Sequence, residues 1–389
     1  MKIFIKLKQH VGVLCEAIVE VGERVAKGQL IAVPEGLGAN IHASVSGEVI
    51  AINEEGILIK MDRKQPTHYV PIPESSSYLE AIEDAGIVGS GGAGFPTHVK
   101  YKTKIKGGTI IANAAECEPL LEHNIKLLEE HPDLIVRGLK YLLDISAAEK
   151  AYIAIKPTSR KAVLALGEAC REEPNIDVKF ISDMYPAGDE RVIIRELLDV
   201  ELKPGQLPMA ANAIVSNVET IKRIVEAIEL RKPYIEKDIT VSGRVASGTK
   251  VFENQPIGVP VSHYIVACGG FVEPYGEIII GGPFTGVSGA LDTPLTKTTG
   301  GILVAMPFPQ EHRKIGLLGC ECGAGTERLH EIAEAMGAEV VVSENCKRMV
   351  EQNGRYRCEL PGLCPGQAEK ILKMKKAGVE TVLAGSCQS

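Results

Sequence analysis

The residues best suited to chemistry include a glycine-rich segment between Gly86 and Tyr101, with five glycines in its first nine positions. Glycine has no Cβ, so backbone N–H groups in such a loop can approach an anion, and Lys100 adds a positive charge for phosphate oxygens. The segment lacks the Gly-Lys-Ser/Thr of a P-loop, and its glycine spacing fits the dinucleotide fingerprint poorly. A flexible turn is the commoner explanation of a glycine run, so the segment alone is weak evidence for a phosphate site.

Three further segments carry polar residues at predicted strand ends or turns. The segment Asn113–Pro119 brings an amide and two carboxylates, Glu116 and Glu118, into one loop, where they could hydrogen-bond sugar hydroxyls or an amide. Acidic residues that cap a helix would give the same pattern. Tyr185–Arg191 and Val215–Thr220 are each a turn that leads into a predicted helix. The four segments together predict a binding site more specifically than any one of them.

Six of the ten cysteines lie in the last seventy residues. Cys320 and Cys322 follow a predicted strand and precede a predicted helix, whose N-terminus would lower a thiol pKa. We therefore predict redox-active thiols, with Cys387 as a third member. The alternative is zinc or one iron–sulfur cluster held by a subset of three weaker candidates and a fourth ligand; the irregular spacings favour the thiols. These candidates are Cys346, Cys358 and Cys364.

Composition narrows the class of protein. A chain of 389 residues predicts two to four domains, and a net charge of −7 argues against nucleic acid as a partner. No apolar stretch is long enough to span a bilayer and no secretory signal is visible, so we expect a cytoplasmic protein.

The distribution of apolar runs, turn residues and linkers along the chain predicts an α/β multidomain protein with four parts. Residues 1–70 read as a small β-sandwich, residues 78–235 as an α/β domain, residues 236–308 as a β-grasp unit and residues 313–389 as a cysteine-rich α/β tail. The first part resembles the barrel-sandwich hybrid of biotinyl and lipoyl carrier domains, but it lacks the carrier lysine at the hairpin tip. We therefore expect a docking or structural module there, not a carrier.

The four polar segments, in this order, resemble the C subunit of the Rnf electron-transport complex and, more distantly, the NADH- and FMN-binding subunit of respiratory complex I. The resemblance covers roughly residues 10–308. It implies a barrel-sandwich domain, a Rossmann-like domain for FMN and NADH, and an SLBB-like β-grasp domain. The cofactor-binding residues that it implies are Gly89, Gly91, Gly92, Gly94, Lys100, Asn113, Glu116, Glu118, Gly188, Glu190, Asn217 and Thr220.

The tail departs from the Rnf pattern, because the ferredoxin-type Cys-x-x-Cys-x-x-Cys-x-x-x-Cys-Pro run is absent. It is similar instead to the family of electron-transfer proteins associated with D-proline reductase, which contains selenoproteins. This similarity implies D-proline reductase as a partner. It also motivates the hypothesis that Cys387 belongs to a Cys-x-x-selenocysteine pair interrupted at the recorded C-terminus.

The sequence thus predicts an electron-transfer flavoprotein that oxidises NADH through FMN and passes electrons through tail thiols or a cluster to a partner reductase. Association with a membrane complex would be through protein partners. The alternative is a noncatalytic docking subunit of a redox complex that has the same fold and an empty nucleotide pocket.

Overall fold

The computed structural model describes residues 1–92 and 94–385. Its first region is built from two small antiparallel sheets with strand orders β1-β7-β6-β3 and β2-β4-β5. Alternate residues of these strands, such as Ile3 and Ile5, point into the core, as expected for a half-buried sheet. The strands are β1 (Lys2–Lys6), β2 (Cys15–Ala17), β3 (Arg24–Val25), β4 (Leu30–Pro34), β5 (Ile41–His42), β6 (Gly47–Ile52) and β7 (Gly56–Met61).

The second region has a four-stranded parallel sheet with the order β10-β9-β8-β11. Three of its four strands are mostly apolar, which is typical of a parallel sheet covered by helices. The elements are α1 (Tyr78–Asp84), α2 (Thr97–Lys102), β8 (Thr109–Asn113), α3 (His123–Glu130), α4 (Pro132–Ser146), β9 (Lys150–Ile155), α5 (Arg160–Ala169), β10 (Ile176–Phe180), α6 (Glu190–Leu198), a 3₁₀ turn (Pro208–Ala211), β11 (Ala213–Asn217) and α7 (Val218–Leu230).

The third region is a five-stranded mixed sheet with the order β13-β12-β16-β14-β15. Its core is continuous with that of the first region: Ile3 and Ile5 belong to one buried apolar cluster with Ile239 and Val241. The first and third regions therefore stabilise each other. The elements are β12 (Glu236–Gly243), β13 (Lys250–Pro256), α8 (Val261–Ala267), β14 (Ile278–Ile280), β15 (Val287–Gly289) and β16 (Gly301–Val304).

Buried ion pairs join α7 to β12. Arg223 lies 3.1 Å from Glu219 and 3.0 Å from Asp238, and Lys222 lies 2.6 Å from Asp238. Lys237 completes the group by pairing with Glu219. Burial alone would raise the pKa of Asp238, but Arg223 and Lys222 hold it well below its ordinary value. A charged network of this kind is costly to break, so it fixes α7 against the third region.

The tail is a three-stranded parallel sheet with the order β18-β17-β21, together with an antiparallel hairpin of β19 and β20. Its core is small, with Ile315, Leu317 and Leu329 at its centre. The elements are β17 (Lys314–Gly319), α9 (Thr326–Ala335), β18 (Glu339–Asn345), β19 (Met349–Gln352), β20 (Arg355–Cys358), α10 (Ala368–Lys376) and β21 (Thr381–Ala384).

The prediction of a mixed α/β protein with several sheets is confirmed. The domain boundaries and the β-grasp assignment stay predictions. Within the described residues, none of the helices combines the length and the apolar character that a membrane crossing requires.

Candidate functional site

The glycine-rich loop lies between α1 and α2, and hydrogen bonds within its own backbone hold it together. The Gly89 N–H donates to Phe95 O at 3.0 Å, and the Gly94 N–H donates to Gly89 O at 3.2 Å. Gly92 has a φ of +108°, and a Cβ there would meet no atom within 4 Å, so its backbone faces open space. The Ser90 N–H donates to Thr220 Oγ1 at 2.9 Å, which fastens the loop to the first turn of α7. The loop is therefore both accessible and held in place.

Two asparagines lie at the carboxyl ends of neighbouring parallel strands. Asn113 ends β8 and Asn217 ends β11, and the two residues are paired in register. The Asn217 side chain caps α7 by accepting from the Glu219 N–H at 2.8 Å. The Asn113 amide donates to Gly188 O at 2.9 Å and accepts from the Ala115 N–H at 3.1 Å. Ligands of parallel sheets bind outside this edge.

Lys100 is the cation of the site. Its Nζ donates to Val215 O at 2.5 Å and to Glu190 Oε1 at 3.1 Å. An ammonium has three N–H donors, so one remains for an oxygen in the adjacent space. Lys100 can therefore hold an anionic group while it stays anchored to α6 and β11.

Glu118 holds a loop of the third region beside the same strand ends. Its carboxylate accepts from the N–H groups of Phe284 at 2.9 Å and Thr285 at 3.0 Å, and from the Thr285 hydroxyl at 2.5 Å. A Cβ on Gly282 would come within 2.2 Å of this carboxylate, so a side chain there would displace it. The Phe284 ring packs against the Tyr185 ring, with 4.4 Å between centroids. Glu118 thus forms one wall of the site.

Glu116 is the carboxyl group whose protonation is most altered here. Burial raises its pKa to about 7, and the charge of Glu118 acts in the same direction. The Asn124 amide opposes the shift by donating to Glu116 Oε2 at 2.8 Å. A carboxyl group with this pKa is partly protonated near neutral pH, so it can either donate or accept a hydrogen bond.

These elements enclose a cavity of about 490 Å³. All but one of the predicted cofactor-binding residues line it, and the exception, Gly94, lines a smaller space beside His10 and Thr298. A Cβ on Gly94 would lie 3.0 Å from Thr298 Cγ2, so this glycine packs against the third region instead. The predicted residues that the cavity gathers are Gly89, Gly91, Gly92, Lys100, Asn113, Glu116, Glu118, Gly188, Glu190, Asn217 and Thr220.

The tail approaches this cavity, and Cys322 lines it together with Glu321. Cys320 is buried, and its thiol contacts that of Cys322. The expectation of a lowered pKa is wrong for Cys322, because hydrogen bonds with the thiols of Cys320 and Cys358, together with burial, raise that pKa. The same contact with Cys322 lowers the pKa of Cys358 to about 7.

The weaker metal candidates separate into two environments. Cys346 and Cys358 are buried, whereas Cys364 is exposed and lies 3.9 Å from the amide of Gln367. Cys387 lies outside the residues that the structure describes.

Sequence reasoning missed several residues that contact the cavity from distant parts of the chain. Tyr185, Thr285 and Thr298 line it but were not among the predicted binders. Tyr185 lies within a segment that the sequence already marked, so its place in that segment was an available signal. For Thr298 no local pattern distinguishes it from other loop threonines.

Comparison with protein families identifies two segments. Residues 82–226 match the Nuo51 FMN-binding domain, and residues 1–67 match the RnfC barrel sandwich hybrid domain. The first match contains the glycine loop, both asparagines and the carboxylates of Glu116, Glu118 and Glu190.

Relatives match over most of the chain. The C subunit of the proton-translocating ferredoxin:NAD⁺ oxidoreductase complex of Clostridium ljungdahlii is 36% identical over 324 residues, 78% of this chain and 70% of that protein. The C subunit of the Na⁺-translocating complex of Acetobacterium woodii is 32% identical over 77% of this chain and 72% of that protein. The cobalamin reductase PduS of Salmonella typhimurium is 36% identical over 60% of this chain and 50% of that protein. The chain belongs to the RnfC family of electron-transport oxidoreductase subunits.

Proposed function

We propose that this protein is an electron-transfer flavoprotein that oxidises NADH through FMN bound in the cavity and delivers electrons toward the cysteine-rich tail. The observation that carries the proposal is the position of the cavity. It lies at the carboxyl ends of β8 and β11, between the glycine loop and the loop that carries Cys322.

The residues of the cavity fit FMN. Its volume of about 490 Å³ lies within the range of small-molecule and cofactor sites. Gly92 leaves backbone facing open space, and a Cβ on Gly91 would come within 3.3 Å of Asn217. Asn124, on α3, lines the cavity, and its Oδ1 atom is buried without a hydrogen-bond partner among the described residues. A polar ligand in the cavity would satisfy it.

The protein residues take distinct roles in this proposal. The backbone of Gly89, Gly91 and Gly92, together with the third N–H of Lys100, holds phosphate and ribityl oxygens. Glu116 hydrogen-bonds a polar edge of flavin or nicotinamide. When bound, FMN supplies hydride acceptance and electron release, and the protein supplies position and electrostatics.

Other residues of the cavity act by fixing these groups. Asn217 caps α7 and Thr220 receives the Ser90 N–H, so both position the glycine loop. Asn113 holds Gly188, and Glu118 holds the loop at Phe284. Gly188 and Glu190 form the side of the cavity assigned to NADH. These four contacts keep the site shaped before any ligand enters.

The acceptor is a partner reductase. The relatives named as subunits of ion-translocating complexes support assembly with protein partners, and the resemblance of the tail supports D-proline reductase as the partner. The competing function is a docking subunit without redox activity.

An anaerobic titration of the FMN-loaded protein with NADH tests the proposal. We expect one equivalent of FMN per chain and bleaching of the flavin absorbance as NADH is added. A protein that binds no FMN after reconstitution would instead support the docking subunit. FMN binding without bleaching by NADH would retain the flavin site and reject NADH as the donor.

A further inference from the structure

Four cysteines converge at the carboxyl edge of the tail sheet. Cys320 directly follows β17 and Cys346 directly follows β18, and the last residues of these two strands, Gly319 and Asn345, are paired. Cys358 ends β20, and the turn after β17 brings Cys322 to the same place. Residues distant in sequence therefore meet because parallel strands end at one edge of a sheet.

Each of the four thiols contacts at least one of the others. The Cys322 thiol hydrogen-bonds with the thiols of Cys320 and Cys358, and the Cys346 thiol hydrogen-bonds with that of Cys320. Cys320, Cys346 and Cys358 are buried, with exposed fractions of 8%, 8% and 5%. The four sulfur atoms are thus connected in the order Cys346, Cys320, Cys322 and Cys358, and three of the four cysteines are shielded from solvent.

Hydrogen-bond donors surround this cluster. The backbone N–H groups of Gly362, Arg348 and Leu360 donate to the sulfurs of Cys322, Cys346 and Cys358, respectively. The Gln367 side chain adds a second donor to Cys346, with 3.0 Å between Nε2 and Sγ. A neutral thiol is a weak acceptor, whereas a metal-bound thiolate is a good one. The donors therefore suit thiolate ligands better than free thiols.

The cluster is fixed against the cofactor cavity. The Tyr185 hydroxyl donates to Cys322 O, and Arg191 donates to Glu321 at 2.9 Å and to Cys358 O at 2.8 Å. Glu321 in turn accepts from the N–H of Cys358 and lies 2.7 Å from Arg357. Residues of the FMN-binding region thus hold the loop that carries two of the four sulfurs.

We propose that Cys320, Cys322, Cys346 and Cys358 are the four ligands of a single iron–sulfur cluster. Ligation by four thiolates is common to such clusters, and formation of the site releases the four thiol protons. The spacing, Cys-x-Cys with the other two ligands 24 and 12 residues further along, differs from the paired Cys-x₂₋₄-Cys of structural zinc sites. The choice of a redox-active centre over zinc rests on the proposed electron-transfer function, because Cys322 borders the cofactor cavity.

The experiment is an analysis of iron, zinc and acid-labile sulfide in the full chain purified without oxygen, with FMN measured in the same sample. We expect iron and sulfide in fixed ratio to protein and an electron paramagnetic resonance signal after reduction with dithionite. C322S and C346S should each lose most of the iron and sulfide and that signal. Gln367→Ala, which removes only a donor to a ligand, should weaken iron retention about tenfold.

Matched controls are Cys364→Ser, an exposed cysteine of the tail, and Cys170→Ser, a cysteine at the end of α5; both should keep the iron and sulfide of the parent protein. Stoichiometric zinc without sulfide would overturn the proposal, as would a protein that takes up neither metal nor sulfide after anaerobic reconstitution. The wild-type measurement decides this even where a serine variant fails to fold. Measuring FMN and iron in the same sample distinguishes a failure of the proposed flavin site from a failure of the proposed iron–sulfur site. Loss of the flavin site would leave the iron content unchanged.

Discussion

Two parallel sheets in this molecule present different side chains at the same edge. At the carboxyl ends of β8 and β11, Asn113 and Asn217 present amides next to glycine backbone and carboxyl groups. At the corresponding ends of β17 and β18, Cys320 and Cys346 present sulfur. The first edge offers hydrogen bonds to an organic cofactor, and the second offers soft ligands to a metal.

The two edges also differ in the contacts that support them. The FMN-side cavity is framed by the large core of the second region and by the buried ion pairs of α7. The tail has a small core, and its cysteines are held largely by backbone donors and by Arg191. We therefore expect changes in the cavity to alter ligand affinity on a stable scaffold, and changes at the joint with the tail to loosen the tail itself.

The largest expected effect is on stability, at Glu116. Its pKa in the folded protein is about 7 against an ordinary value of 4.5, so the folded state favours the neutral carboxyl group. This penalty on the ionised form is absent below about pH 4.5, grows as the pH rises and is complete above about pH 7, where it amounts to about 3 kcal/mol.

Replacing Glu116 by Gln should therefore raise the free energy of unfolding relative to wild type by an amount that increases between pH 4.5 and 7. Urea unfolding of both proteins across this range measures the difference, and buried histidines common to both cancel. A difference that stays constant with pH would contradict the assignment.

The next effect concerns the glycine loop. Gly92→Ala puts a Cβ on a residue with a φ of +108°, which costs about 1–3 kcal/mol of backbone strain. We expect FMN affinity to fall about tenfold or more, measured by fluorescence titration. Gly167→Ala on α5 is the control, since its Cβ meets no atom and its φ is ordinary. Unchanged affinity in the Gly92 variant would exclude this loop from the site.

Loss of the cation should have a similar but smaller effect. Lys100→Ala removes a charged donor from the cavity, and we expect FMN to bind about tenfold more weakly. Lys102→Ala is the matched control because Lys102 lies on the same helix and is exposed. Equal losses in both variants would mean that general charge, not the position of Lys100, attracts the phosphate.

The smallest effect is expected at the joint between the two regions. Arg191→Ala removes the contacts with Glu321 and Cys358 O, and we expect a loss of about 1 kcal/mol and faster proteolysis within residues 314–385. Arg160→Ala, at an exposed position of α5, is the control. Proteolysis at the wild-type rate would show that other contacts hold the tail.

Contiguous motifs were predictable, and contacts between distant segments were not. Gly92, Lys100 and Glu116 were predictable because each lies in a segment with an unusual composition. The family resemblance then assigned those segments to a cofactor site. The sequence did not show that Glu118 holds Phe284 and Thr285 across more than 160 residues, since that contact depends on how two regions pack. For the same reason the irregular cysteine spacings argued against a metal, and they did not show that pairing of β17 with β18 brings Cys320 close to Cys346.

The most direct measurement is anomalous diffraction at the iron edge from crystals grown without oxygen and soaked with FMN. We predict an iron peak enclosed by the sulfurs of Cys320, Cys322, Cys346 and Cys358, and flavin density along the glycine loop beside Asn113. Flavin density outside this cavity, or four sulfurs with no iron between them, would contradict the account of two adjacent redox sites.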